Sequence, residues 1–216
     1  MKNLFIIVLI YVCFLSCKSQ NSEKKFITKE SQISEKEFED NSENLIHRFI
    51  LKRKNQKTIS LSLNNGEVML FKNNTGEPYD ENRINYTLVK SEKTEKYVIN
   101  VREYERNYFL LVDKNNKNID TIPSYPHFSK NKNTIFMIKN NPYETYENIL
   151  PPSEDIYIYV YIKNQLKKIY SKPYHFFSDT YLDSFFWKKE NILYLKFVNE
   201  VNKSESKYIS LTISYY

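Results

Sequence analysis

The acidic residues between positions 144 and 155 are the first candidates for chemistry in this sequence. Glu144, Glu147, Glu154 and Asp155 lie close together along the chain. Paired carboxylates can bind calcium, or they can serve as the acid and base of a hydrolase. The stretch has no calcium-loop pattern, however, and a charge cluster of this kind is typical of a solvated surface loop. The sequence therefore predicts a solvated acidic loop.

The histidines His47, His127 and His175 are the next candidates, for a metal site or a general base. They lie far apart in the sequence, and no carboxylate stands at a spacing that supports a shared metal ion. We therefore predict that they pack in loops or at the surface, and that the protein uses no metal and no cofactor.

Glycine and cysteine usage excludes several classes of enzyme. Gly66 and Gly76 are the only glycines, so the chain has no phosphate-binding loop, no dinucleotide fingerprint and no G-x-S-x-G nucleophile turn. Cys13 and Cys17 are the only cysteines and the HExxH motif is missing, which excludes the usual zinc motifs. These exclusions favour a protein that is not an enzyme.

The alternating segment 156–162 is the strongest candidate for a ligand platform. On a strand, Tyr157, Tyr159 and Tyr161 share one face, with rings about 6–7 Å apart that could stack on successive sugars or peptide side chains. The alternative is a central strand that is buried on both faces, with the phenol groups bonded at its rim. We favour the buried strand, and we also assign the Phe-Phe-Trp triplet at 185–187 to the core.

Composition predicts the elements that must position these side chains. The chain has no alanine, 19 tyrosines and 14 phenylalanines, which disfavours helices and favours half-buried strands. Apolar and polar residues alternate in segments such as 58–63 and 207–214, as in antiparallel strands with one buried face. We therefore predict an all-β fold. The predicted strands are 46–52, 58–63, 67–72, 84–91, 96–102, 108–113, 134–138, 156–163, 184–188, 192–198 and 207–214.

Turn residues connect these segments into a meander of hairpins. Asn64-Asn65-Gly66 predicts a tight turn between two strands, and Pro151-Pro152 marks a longer loop. The periodicity leaves open whether the meander closes as a barrel, packs as a sandwich or is propeller-like.

The N-terminus has the pattern of a signal peptide. Lys2 supplies a positive charge, residues 4–15 form an apolar run too short to span a bilayer, and a small residue precedes Cys17. The segment resembles the lipobox of bacterial lipoproteins, with Phe14 where leucine is usual. The resemblance implies removal of residues 1–16, a lipid on Cys17, and a membrane-anchored location in the cell envelope, on its periplasmic or cell-surface face. An ordinary secretory signal with an incidental cysteine is the alternative.

The mature chain is predicted to have two parts. Residues 17–42 are polar and are predicted to form a lipidated tether, and residues 43–216 suit a single β-rich domain. Ser34 and Glu37 have capping-box spacing, which indicates a short helix within the tether. The 32 basic and 26 acidic residues are interleaved without a basic stripe, so we expect no nucleic-acid partner.

An internal repeat favours the propeller-like arrangement. The stretch around Ile119 and Pro123 is echoed around Ile169 and Pro173 at the same offset. Residues 117–198 resemble blades of the Tol-Pal-type and other WD-repeat-like periplasmic propellers, with Lys-Asn-Lys in place of the Pro-Asp-Gly of that pattern. The resemblance implies a propeller-like arrangement of blades.

Three functions remain open at this point. The first is a non-catalytic binding or scaffolding lipoprotein that is held to the membrane by its lipid and binds an envelope protein or a glycan. The second is a carboxylate-dependent hydrolase of the envelope. The third is a lipocalin-like carrier of an apolar ligand.

Overall fold

The computed structural model describes residues 25–42, 45–47, 57–74, 77, 80–89, 95–143, 145, 149, 151–175, 180–199, 201–202 and 204–216. Within these residues the chain forms fifteen strands and one short helix, and the strands pair antiparallel, so the predicted all-β fold is confirmed. No helix in this part of the chain is long and apolar enough to cross a membrane.

The elements follow one another along the chain as a nearly unbroken series of strands. In chain order they are β1 (Phe26–Gln32), α1 (Glu35–Glu39), β2 (Ile46–His47), β3 (Thr58–Ser62), β4 (Val68–Lys72), β5 (Asn85–Val89), β6 (Lys96–Arg102), β7 (Asn107–Asp113), β8 (Ile119–Ile122), β9 (His127–Phe128), β10 (Thr134–Asn141), β11 (Ser153–Ile162), β12 (Gln165–Tyr174), β13 (Thr180–Lys189), β14 (Ile192–Asn199) and β15 (Ser206–Tyr215).

These strands form four open sheets, and none of them closes into a barrel within the described residues. Sheet I is β3-β4, sheet II is β5-β6-β7-β8, sheet III is β12-β11-β10-β9 and sheet IV is β1-β15-β14-β13-β2. Sheets I to III are meanders of consecutive strands, as predicted. The predicted turn between β3 and β4 is also present, and Gly66 has the positive φ of 85° that glycine adopts without strain.

The four sheets stack in chain order, because apolar side chains on their faces must be covered. Ile59 and Leu61 of sheet I pack with Ile99 and Val101 of sheet II. A second core joins sheets II and III, and a third joins sheets III and IV. The four sheets have two, four, four and five strands.

The internal repeat coincides with the step from one sheet to the next. Ile119 begins β8, which completes sheet II, and Ile169 lies in β12, which completes sheet III. Pro123 directly follows β8, and Pro173 lies near the end of β12. Each copy of the repeat therefore marks the strand after which the chain enters a new sheet.

Strand β11 is buried on both faces, as predicted for a central strand. Ile156 and Ile158 pack in the core shared with sheet IV. Tyr157, Tyr159 and Tyr161 pack against the core shared with sheet II. The three rings are half-buried between two sheets rather than displayed on an exposed platform.

The segment predicted as a polar tether is folded from Phe26 onward. Strand β1 pairs with β15 along its whole length, from Phe26 opposite Tyr215 to Gln32 opposite Ile209. The prediction of a tether that reaches residue 42 is therefore wrong. The polar composition of β1 reflects its place at the edge of sheet IV, where most of its side chains face water.

The helix predicted at Ser34 is confirmed. The Ser34 Oγ accepts a hydrogen bond from the Glu37 N–H (3.1 Å) and so caps the first turn of α1. Phe38 is 3% exposed, and its ring centroid lies 5.1 Å from that of Phe186 in sheet IV. The other two residues of the Phe-Phe-Trp triplet belong to the core shared with sheet III, so the predicted core role of the triplet is confirmed.

A polar cluster fastens β1 to sheet III. The Glu30 Oε2 accepts hydrogen bonds from Lys172 Nζ (2.7 Å) and from the hydroxyls of Tyr174 (2.8 Å) and Tyr170 (3.2 Å). Burial would raise the pKa of Glu30, but the hydrogen bonds from Lys172 and Tyr174 outweigh it and lower that pKa. Because Glu30 belongs to sheet IV and its donors to sheet III, the cluster ties the two sheets together.

We predict that replacing Tyr159 by alanine destabilises the fold. The change removes a half-buried ring from between sheets II and III, and we expect a loss of about 2–4 kcal/mol in the free energy of unfolding. Chemical denaturation of the wild type and the variant measures the loss. The control is Tyr143→Ala, because Tyr143 is 86% exposed and its removal should change stability by about 0.5 kcal/mol or less. Superimposable denaturation curves for Tyr159→Ala and the wild type would contradict the packing role.

Candidate binding cleft

A cleft of about 640 Å³ opens where sheets II, III and IV meet. It combines aromatic and aliphatic side chains with polar groups of both charges. Sheet II, its β6–β7 turn and the connection after it contribute Glu105, Arg106, Asn107, Tyr108, Phe109, Pro123, Ser124 and Tyr125; sheet III contributes His127, Ile138, Lys139, Asn140 and Glu154; and sheet IV contributes Leu182 and Phe185.

The cleft exists because β9 is much shorter than its neighbour β10. Strand β9 pairs with β10 only through His127 and Phe128. Extending the same register backward would place Pro123 opposite Asn140, and proline has no N–H to donate to a sheet. The second half of β10 therefore borders the cleft instead of a paired strand.

Aromatic rings form one wall of the cleft. The His127 ring meets those of Tyr125 and Phe185 edge to face, with centroids 5.0 Å and 4.6 Å apart. The Phe109 ring packs against Tyr125 at 6.0 Å in the same manner. Burial lowers the pKa of His127 to about 3, so its imidazole is neutral at pH 7 and packs as an aromatic group.

Hydrogen bonds fix the polar rim of the cleft. Arg106 Nη2 lies 2.6 Å from Glu103 Oε2, and the Tyr108 hydroxyl donates to Glu103 Oε1 (2.9 Å). Burial, together with the adjacent Glu103 carboxylate, raises the pKa of Tyr108 to about 12. The Asn107 Oδ1 accepts a hydrogen bond from Asn100 Nδ2 (2.8 Å). The rim therefore presents a guanidinium, a phenol and an amide, and each of them contacts a neighbouring side chain of sheet II or its β6–β7 turn.

The structure corrects the predicted acidic loop. Glu154 and Asp155 lie in β11 and are 0% and 4% exposed. Because successive strand residues face opposite sides, Glu154 faces the cleft and sheet IV. Asp155 accepts hydrogen bonds from Ser153 Oγ (3.0 Å) and the Tyr157 hydroxyl (3.4 Å). The prediction of a solvated loop is wrong for these two acids, because β11 begins before them.

The other predicted site residues are spread through the fold. The Tyr161 hydroxyl donates to Asp120 Oδ2 (3.0 Å), so this end of the tyrosine row is bonded to sheet II. His175 Nδ1 lies 2.7 Å from the Pro152 carbonyl oxygen, in a loop. Within the described segments, no three His, Cys, Asp or Glu side chains are grouped so that they could hold a metal ion.

Cys17, Glu144 and Glu147 lie outside the described residues, as do Cys13 and Gly76. The lipidation site therefore stays a prediction.

The cleft and most of its lining were not predicted from the sequence. Tyr108, Tyr125 and Leu182 belong to three separate parts of the chain, and only the stacking of sheets brings them together. One sequence signal was available, since Pro123 and Pro126 interrupt the segment before β9 and so predict incomplete pairing there.

Comparison of the chain with protein-family models, curated proteins and solved structures finds no match.

We predict that His127 makes the protein less stable in mild acid. The unfolded histidine takes up a proton near pH 6.5, whereas the folded one stays neutral until about pH 3, so lowering the pH favours the unfolded state. Between pH 7 and pH 4.5 this difference costs about 2–3 kcal/mol. Urea denaturation at both pH values should show that His127→Phe, which keeps a ring in place, loses less stability than the wild type by about that amount. An equal loss in both proteins would contradict the prediction.

Proposed function

We propose that the chain is a membrane-tethered lipoprotein of the bacterial envelope whose β domain binds or scaffolds a partner without catalysis. The N-terminal pattern that ends at Cys17 supports the lipid anchor. The cleft between sheets II, III and IV supports the binding role, and it is the observation that carries the proposal.

The size and lining of the cleft suit a bound ligand. A volume of about 640 Å³ falls within the range of about 300–1,000 Å³ that is common for ligand sites. Phe109, Tyr125 and Phe185 offer apolar surface, while Asn107 and Arg106 offer hydrogen-bond donors at the rim. These groups lie on or next to paired strands, which hold a site more precisely than long loops do.

The burial of Glu154 makes this carboxylate a poor acid or base for a hydrolase. A general acid or base must come within hydrogen-bond reach of the proton that it transfers. Glu154 is 0% exposed, so it lies in the wall of the cleft and out of contact with solvent. The open sheets likewise favour a surface cleft over the enclosed cavity of a lipocalin-like carrier.

We predict that Cys17 carries the anchor. Metabolic labelling with a fatty-acid analogue should mark the wild-type protein and fail on Cys17→Ser, because the thiol is the attachment point in the lipoproteins that this N-terminus resembles. The control is Cys13→Ser, which changes a cysteine of the predicted signal and should leave the label in place. Label that persists on Cys17→Ser would rule out this anchor.

We predict that filling the cleft abolishes partner binding. Ser124 lines the cleft and is half-buried, so Ser124→Trp places an indole in the ligand space. A pulldown from native membranes should recover a partner with the wild type and lose it with this variant. The control is Ser60→Trp, because Ser60 is exposed on sheet I, away from the cleft lining. Equal recovery with both variants would place the binding surface elsewhere.

A further inference from the structure

Strand β10 has an edge that is covered over only part of its length. It runs over Thr134–Asn141, but β9 pairs with it only at Ile135 and Phe136. On its other side β10 pairs with β11 along its whole length. Among the described residues, no strand pairs with the second half of the β9-facing edge.

The hydrogen-bonding groups of that edge point into the cleft at every second residue. The Thr134 carbonyl accepts from the Ser129 N–H (2.9 Å), so Thr134 directs its backbone groups toward β9. In an antiparallel sheet this direction alternates along the strand. Ile138 and Asn140 therefore direct their N–H and C=O groups toward the same side, and both residues line the cleft.

Apolar surface lies on each side of this edge. Ile138 faces sheet IV, where Leu182 and Phe185 also line the cleft. On the opposite side, toward sheet II, the cleft is lined by Phe109 and Tyr125. The side chains of a strand laid along β10 would point alternately to these two surfaces.

We propose that the cleft takes an extended peptide segment of a partner protein, which adds to sheet III as a strand beside Ile138 and Asn140. This inference rests on the proposed function and names the ligand class of its cleft. The backbone of the segment supplies the donors and acceptors that match the edge, and apolar or aromatic side chains at alternate positions fill the two surfaces. Along the edge of a strand, a backbone donor and acceptor recur together at every second residue, about 7 Å apart. A glycan does not have this repeat.

The first test separates backbone recognition from side-chain recognition. A phage-displayed library of random linear peptides is panned against the full-length chain in detergent, and the enriched peptides are measured by fluorescence polarisation. Asn140→Pro removes one N–H from the free edge and leaves the bonds to β11 intact. We expect it to weaken binding about tenfold or more. The matched variant Asn140→Ala keeps the N–H and removes only the exposed side chain, so we expect it to bind the peptide about tenfold more tightly than Asn140→Pro.

The second test measures amide hydrogen exchange along the same edge of β10 in the wild-type chain. It therefore does not depend on how the proline variant folds. An enriched peptide should slow amide hydrogen exchange at Ile138 and Asn140. It should leave Met137 and Lys139 unchanged, since their N–H groups already face β11.

In these two tests, each of three results would overturn the inference: a library from which nothing enriches, equal affinities for the two Asn140 variants, and amide protection that does not alternate along β10. A glycan or a globular surface whose binding is blocked by Ser124→Trp would also overturn the peptide assignment, but it would leave the proposed binding function standing. Loss of the proposed function itself would appear instead as partner recovery that Ser124→Trp leaves unchanged.

Discussion

Burial of both faces of sheet III is the constraint on which the remaining structure depends. Strands β10 and β11 carry large apolar side chains on each face: Ile135 and Met137 point toward sheet II, whereas Phe136 and Ile158 point toward sheet IV. Each such side chain contributes about 1.5–3 kcal/mol when water is excluded from it. A sheet of this kind is stable only between two other layers, so sheets II and IV must lie on either side. Strand β9 is the shortest strand of sheet III, and it ends before it fills the space between sheets II and IV. The cleft opens in that space.

The strands that were predicted from the sequence are those with apolar runs or clean alternation. Strand β6 has the predicted bounds, Lys96–Arg102, because its Val and Ile residues are buried on both faces. The strands that were missed are the polar ones at sheet edges, above all β1 and β12 (Gln165–Tyr174), where lysines and serines face water. An edge strand pairs with a neighbouring strand on one side only, and charged residues along it discourage aggregation. These strands therefore have too few apolar residues to show a periodic hydrophobic pattern in the sequence.

The cleft could not be predicted, because its residues have no common spacing in the sequence. Glu154 illustrates the difficulty, since it stands among other acids and yet lies in a fully buried strand position. Local charge fails to predict exposure here because Glu154 lies in a central strand whose two faces are both covered by other sheets. His127 was recognised as a candidate, but its aromatic surroundings come from β10, β13 and the connection before β9, and these depend on sheet stacking. The two prolines before β9 predict incomplete strand pairing at this point of the chain. They do not predict which side chains line the resulting cleft.

The pairing of β1 with β15 brings the two ends of the described chain side by side, with the Tyr216 N–H donating to the Lys25 carbonyl (3.1 Å). In the proposed lipoprotein only residues 18–25 lie between Cys17 and this corner, and eight extended residues span at most about 28 Å. The proposed anchor would therefore hold the start of β1 within about 28 Å of the lipidated residue. A force on the proposed anchor would reach the domain through β1. The seven residue pairs between β1 and β15, and the hydrogen bonds of Glu30 to sheet III, are the contacts that would resist it.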